Sequence, residues 1–269
     1  MRKFDFIVIS SGSGLEVSAD VSDAGWSVAI IEEGPFGGTC LNRGCIPSKM
    51  LIHCADVMQT IENGAAFGIH AKVESIDRQF IVKRAFVEVD GAAAMFERGN
   101  RQSENIEVFK GHGRFTGPKT LAVDIPGSDE EELTAETIII AAGTRPWVPE
   151  TPGLDQTPYI TSDEALRLLE QPKKLTIIGE VYIAAELAHF FGALGTEVTI
   201  IHRRGQMLRE DDDDVARRFT EVYQRRFNMV LDAQVAGVSS QGGEITVDVT
   251  TPWGNQSITS DSSLMATGR

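Results

Sequence analysis

Phe6-Ile7-Val8-Ile9-Ser10-Ser11-Gly12-Ser13-Gly14 opens the chain with an unbroken apolar run and then a turn of serines and glycines. A short apolar run bounded by turn residues fits a strand buried on both faces, as in parallel sheets. A helix-length stretch follows as far as Gly25, and then a second apolar strand, Ser27-Val28-Ala29-Ile30-Ile31-Glu32. Strand, glycine turn, helix and strand in this order make a βαβ unit of dinucleotide-fold size. The plan recurs in Leu175-Thr176-Ile177-Ile178-Gly179, the stretch from Ala184-Ala185-Glu186 to Gly195, and Glu197-Val198-Thr199-Ile200-Ile201. The expected fold class is therefore α/β, with two Rossmann-like three-layer domains in tandem.

Between the two units, Pro47 to about Glu62 reads as a helix and Ser75 to Arg98 as a weaker one. Ile106 to Val123 alternates in strand fashion around Gly117-Pro118, and Thr137-Ile138-Ile139-Ile140-Ala141-Ala142-Gly143 reads as a buried strand ending in a tight turn. Pro146, Pro149 and Pro152-Gly153 mark a linker, which places the expected boundary between domains 1–148 and 149–269. A length of 269 residues suits two cores, and 42% hydrophobic content suffices to fill them. The net charge of −14 argues against a nucleic-acid or anionic-membrane partner, either of which needs a basic face. The acid excess gathers in Asp129-Glu130-Glu131-Glu132 and Glu210-Asp211-Asp212-Asp213-Asp214, expected as solvated loop and helix-start charge. No run of 18 apolar residues and no leader pattern occurs, so the expectation is a soluble, cytoplasmic protein.

The chemistry concentrates in Gly37-Gly38-Thr39-Cys40-Leu41-Asn42-Arg43-Gly44-Cys45-Ile46-Pro47-Ser48-Lys49. Three cysteines are too few for a secreted disulfide scaffold, and closely spaced thiols point to redox chemistry or metal binding. Two thiols lie just before a helix whose first position suits Pro47, and a helix N-terminus stabilises a nearby thiolate. Cys45 is thereby poised for electron transfer, and Cys40 for exchange with a substrate disulfide. A zinc site of Cys40, Cys45, His53 and Cys54 is the weaker alternative, because structural zinc favours tighter cysteine knuckles and a second well-spaced pair.

This segment, with the two βαβ units, resembles the class I pyridine nucleotide-disulfide oxidoreductases, a group that includes dihydrolipoamide dehydrogenase, mycothione reductase, glutathione reductase and mercuric reductase. The resemblance covers essentially the whole chain. It implies FAD on the first unit, NAD or NADP on the second, and a homodimeric assembly acting on a small-molecule or lipoyl disulfide or dithiol. Dihydrolipoamide dehydrogenase is the first choice on the Cys-Leu-Asn and Cys-Ile-Pro-Ser-Lys form, and mycothione reductase is close behind.

By the same resemblance Cys45 is the thiol that contacts the flavin, Cys40 is the interchange thiol, Lys49 lies near the flavin N5 and Glu186 pairs with that lysine. Gly12, Ser13 and Gly14 hold the FAD pyrophosphate, with Glu32 on the adenosine ribose. Gly38, Thr39, Gly113, Ala142, Gly143, Thr144 and Gly268 fall in further cofactor-side segments. His112 is expected in a surface loop. On the second unit Gly179, Tyr182 and Ile183 face the nicotinamide nucleotide, with Tyr182 at the position that gates the pocket. Arg203 and Arg209 resemble a 2′-phosphate clamp, which leans the cofactor towards NADP.

Two departures stand out. The first glycine of the first turn is Ser10, which is expected to strain it. The second turn reads Gly179-Glu180-Val181, with a branched side chain where backbone normally approaches the pyrophosphate. Repulsion between Glu180 and a phosphate ~4 Å away reaches about 4 kcal/mol at an effective dielectric of ~20. That corresponds to roughly a thousandfold in affinity. The resemblance also implies a Gly-Asp flavin segment and a dimerisation domain with a His-Glu acid-base pair, neither of which occurs within residues 1–269. Three readings follow: part of a working reductase, a dinucleotide binder without turnover, or a thiol redox switch.

Overall fold

The computed structural model describes residues 1–179, 182–208 and 210–269. It divides into two compact units: residues 1–47 with 85–144, and residues 48–84 with 145–269.

The first unit is built on a six-stranded sheet in the order β3-β2-β1-β6-β5-β4. Its strands are β1 (Arg2–Ile9), β2 (Val28–Ile31), β3 (Ile106–Phe109), β4 (His112–Gly117), β5 (Thr120–Asp124) and β6 (Glu131–Ile140). β1 runs parallel to β2 and β6, with Phe6 opposite Val28 and Ile9 opposite both Ile31 and Ile140, while β4 and β5 are antiparallel additions. Alternate residues of β1 enter different cores. Ile7 packs with Ala29, Ile31, Phe109, Leu121 and Val123, whereas Phe6 and Val8 pack with Val28, Ile30 and Phe36. That double burial is why these strands read as continuous apolar runs. Helix α1 (Gly14–Asp23) returns from β1 to β2, so the turn at Ser10–Ser13 and the strand end at Glu32 lie at one edge of the sheet.

Three details differ from expectation. Glu131 and Glu132 belong to β6, opposite Val123 and Ala122, rather than to a solvated loop, because pairing with β5 extends the strand towards its N-terminus. Thr137 and Ile140 are exposed, Ile140 to 68%, so the strand's C-terminal end is not uniformly buried. His112 opens β4 instead of lying in a loop, although its ring is exposed and pairs with Glu33 at 2.7 Å.

Helices α2 (Gly38–Arg43), α3 (Cys45–Asn63) and α4 (Arg78–Gln102) follow in chain order, α3 beginning two residues before the expected start at Pro47. The second unit carries a parallel sheet in the order β10-β9-β8-β14-β7, formed by β7 (Ile160–Thr161), β8 (Lys174–Gly179), β9 (Glu197–Ile201), β10 (Asn228–Val230) and β14 (Ser262–Ala266). An antiparallel sheet of β11 (Gln234–Gln241), β12 (Glu244–Thr251) and β13 (Gly254–Ser260) adds Val238, Ile245, Val247 and Val249 to a core with Ile178, Ile201 and Met265. Its helices are α5 (Ser162–Arg167), α6 (Tyr182–Ala193) and α7 (Asp213–Gln224). The acidic run at 210–214 does form a helix start, with the Asp212 carboxylate accepting from the Asp214 N–H at 3.0 Å. Among the described residues no helix is long and apolar enough to cross a membrane.

Candidate nucleotide and dithiol sites

In the first unit the strand-to-helix turn wraps around a buried acid. Ser10 has φ 81, a left-handed conformation that costs a non-glycine residue about 1–2 kcal/mol. Its N–H donates to Ile31 O at 2.7 Å, which holds the turn against β2. Glu32 is 8% exposed. Its Oε2 accepts from Ser10 Oγ at 3.1 Å, Ser11 N at 2.8 Å and Ser11 Oγ at 2.7 Å, and its Oε1 accepts from Gly34 N at 2.7 Å. An ionised carboxylate offers about four lone-pair sites, so Oε1 retains capacity for one more donor.

The glycines of this turn do different work. A Cβ on Gly14 would lie 2.4 Å from Val8 Cγ2, so Gly14 lets α1 pack closely on β1. A Cβ on Gly12 would meet only Gly38 Cα, at an ordinary 3.5 Å, so the protein's own packing does not demand glycine there. Ser13 is the N-cap of α1 and makes no side-chain cap bond. A bare glycine floor, an uncapped helix start and a buried acid with a spare lone pair together fit the pyrophosphate and ribose of an adenine dinucleotide.

The cysteine segment lies beside this turn. Gly37 and Gly38 have φ 100 and 65, and a Cβ on Gly38 would fall 2.5 Å from Gly12 Cα. Thr39 and Cys40 sit on α2, and Cys45 is the first residue of the 19-residue helix α3. Both cysteines are exposed. A hydrogen bond with Cys45, followed by burial and by the Cys45 charge, raises the Cys40 pKa above its ordinary value and keeps the proton on Cys40. Cys45 itself stands at the N-terminus of α3. The pair is an adjacent dithiol able to close to a disulfide. Ala142, Gly143 and Thr144 follow β6 and are exposed, and a Cβ on Gly143 (φ 65) would stand 3.8 Å from Thr39 Oγ1. At Gly113 a Cβ would come within 3.1 Å of Ile31 Cγ2, so packing within the sheet already favours glycine there.

In the second unit Lys49 Nζ and Glu186 Oε1 form an ion pair of 2.5 Å across α3 and α6, with side chains 62% and 33% exposed. Tyr182 and Ile183 open α6, and the Tyr182 hydroxyl donates to Asp211 Oδ2 at 2.9 Å. That bond, with the charges of Asp211 and Glu210, raises the tyrosine pKa. Gly179 ends β8, where a Cβ would lie 2.2 Å from Ala266 O. The end of β9 carries no acid: His202 is 2% exposed and its Nδ1 accepts from the Arg204 N–H at 2.9 Å, with Arg203 exposed alongside. Gly268, at φ 118, accepts from the Trp147 N–H at 2.9 Å. Glu180, Val181 and Arg209 lie outside the described residues.

The sequence profile of the family described as pyridine nucleotide-disulphide oxidoreductase matches residues 4–269. The chain belongs to that family. It is 36% identical over 270 residues to a mycothione reductase of Mycobacterium tuberculosis, covering all of this chain and 58% of the relative. A glutathione reductase of Burkholderia cepacia is 34% identical over 273 residues, with the same coverage of 100% and 58%. A solved Cu(II) complex of the HOCl-induced flavoprotein disulfide reductase RclA from Escherichia coli superposes with a TM-score of 0.86 at 28% identity, covering 100% of this chain and 57% of that one. The chain thus spans somewhat more than half the length of the relatives it matches.

Within this family member, sequence reasoning missed several side chains that shape the sites. Asn42, 5% exposed, donates from Nδ2 to Pro35 O at 3.3 Å, Phe36 O at 2.9 Å and Gly38 O at 3.0 Å, folding the glycine loop under α2. His189 is buried, with Nε2 2.9 Å from Asp56 Oδ1, and it accepts at Nδ1 from Arg226 at 2.9 Å, which leaves the ring proton on Nε2. No spacing signal links these residues, since Asp56 and His189 are 133 positions apart.

Proposed function

We propose that this family member passes electrons from NAD(P)H through FAD to the Cys40–Cys45 disulfide, and from there to a small-molecule or lipoyl disulfide. Residues 1–148 make the FAD-binding domain and residues 149–269 the NAD(P)-binding domain. Bound FAD supplies the two-electron relay between nicotinamide and dithiol. Gly12, Ser13 and Gly14 would receive its pyrophosphate, Glu32 would take a ribose hydroxyl on Oε1, and Gly38, Thr39, Gly113, Ala142, Gly143 and Thr144 would line the remainder within the first unit. Lys49, ion-paired with Glu186, stands one helical turn after Cys45. Gly179, Tyr182, Ile183 and Arg203, with Arg209, address the nicotinamide nucleotide, of which NADP is preferred. Cys45 is the thiol on the flavin side and Cys40 exchanges with substrate. A thiol-dependent reductase of this kind belongs in the reducing cytoplasm and works as a homodimer.

The observation that carries this reading is the hydrogen-bonded Cys40–Cys45 pair, with Cys45 heading α3. The test is NADPH oxidation coupled to reduction of mycothiol, glutathione and lipoamide disulfides, with Cys40→Ser and Cys45→Ser beside the unaltered protein. Either substitution takes disulfide reduction to the background rate. Undiminished turnover in Cys45→Ser overturns the assignment.

A further inference from the structure

Ser11 is fully buried and joins two segments that the proposed function treats separately. Its hydroxyl donates to Glu32 Oε2 at 2.7 Å and accepts from the Gly37 N–H at 3.2 Å. The same N–H donates to the Ser11 carbonyl at 3.0 Å, and the Ser11 N–H donates to Glu32 Oε2 at 2.8 Å. Gly37 is the N-cap of α2, the helix that carries Cys40. A hydroxyl that donates and accepts at once relays order between its neighbours, because each bond orients the next.

We propose that Ser11 is a positioning residue that couples occupancy of the adenosine ribose position to the rigidity of the Cys40 segment. The inference rests on the reading of Glu32 as the ribose acid. A hydroxyl on Glu32 Oε1 fixes the carboxylate. The fixed carboxylate orients the Ser11 O–H, and the Ser11 oxygen then holds the Gly37 N–H at the start of α2. Ligand ordering of one segment that a distant segment feels is coupling through local stability rather than through a large movement. No atom of the adenosine half needs to touch either thiol.

The test uses ADP as probe, with amide hydrogen exchange at Gly37–Cys40 and the rate of thiol alkylation as readouts, on the full chain freed of flavin. In the unaltered protein, saturating ADP slows both by about threefold to tenfold, the range that one ordered hydrogen bond supplies. Ser11→Ala exchanges faster than the unaltered protein without ligand, by a similar factor, and its exchange and alkylation no longer respond to ADP although ADP still binds. Ser11→Thr restores the response. Ser10→Ala, which removes a Glu32 donor but not the link to Gly37, keeps it. An ADP response in Ser11→Ala as large as in the unaltered protein overturns the coupling. Absence of ADP binding to the unaltered protein overturns the ribose reading and the coupling with it, while the ligand-free exchange rates still decide whether Ser11 holds Gly37.

Discussion

The two strand-to-helix turns have lost opposite halves of the same motif. The first reads Ser10-Ser11-Gly12 and keeps the middle glycine, whereas the second reads Gly179-Glu180-Val181 and keeps the first. The structure shows what replacing the first glycine costs: Ser10 adopts φ 81, and part of that strain is offset by its bond to Glu32. The surface offered to a phosphate is unchanged, since Gly12 remains uncrowded. In the second turn the retained glycine serves the fold, being pressed against Ala266 O, and the lost one is the position that meets the ligand. Losing the first glycine is a matter of folding energy, and losing the middle one is a matter of affinity. If the two turns bind as proposed, the first is the tighter nucleotide site and the second the weaker.

The largest effect is expected from restoring the second turn. Glu180→Ala with Val181→Gly should tighten NADPH binding by as much as roughly a thousandfold, read by fluorescence titration. An unchanged affinity would break the contrast between the units. Gly179→Ala forces a Cβ to within 2.2 Å of a backbone carbonyl and should cost about 3 kcal/mol in denaturant unfolding. Smaller still is the difference at Ser10: Ser10→Gly should exceed Ser10→Ala in stability by about 1–2 kcal/mol, since only alanine retains the left-handed strain. Equal midpoints for the two variants would show that Ser10 is unstrained. Gly12→Ala should leave stability within about 0.5 kcal/mol while weakening FAD retention by about tenfold, a split seen by comparing melting curves with flavin-to-protein absorbance ratios.

Both βαβ units, the serine at the first glycine position and the cysteine segment were legible in the sequence because each is local: an apolar run, a glycine and a spacing of a few residues suffice. The extent of β6 was not legible, since Glu131 and Glu132 look like loop until β5 is found opposite them. Glu32 was recognised as a strand-end acid, but its hydrogen bonds from Ser10 and Ser11 required three-dimensional proximity across more than 20 positions. The Asn42 scaffold and the Asp56–His189–Arg226 chain were invisible for the same reason.

The most direct test is the absorption spectrum of the FAD-loaded protein after addition of two electrons. If the Cys45 sulfur lies against the flavin ring, a new long-wavelength band grows in for the unaltered protein; in Cys40→Ser, which has no disulfide to open, the band is present before reduction and bleaches as the two electrons reduce the flavin, and in Cys45→Ser it is absent throughout. Simple bleaching of the flavin with no such band, or a band indifferent to Cys45→Ser, would contradict the account.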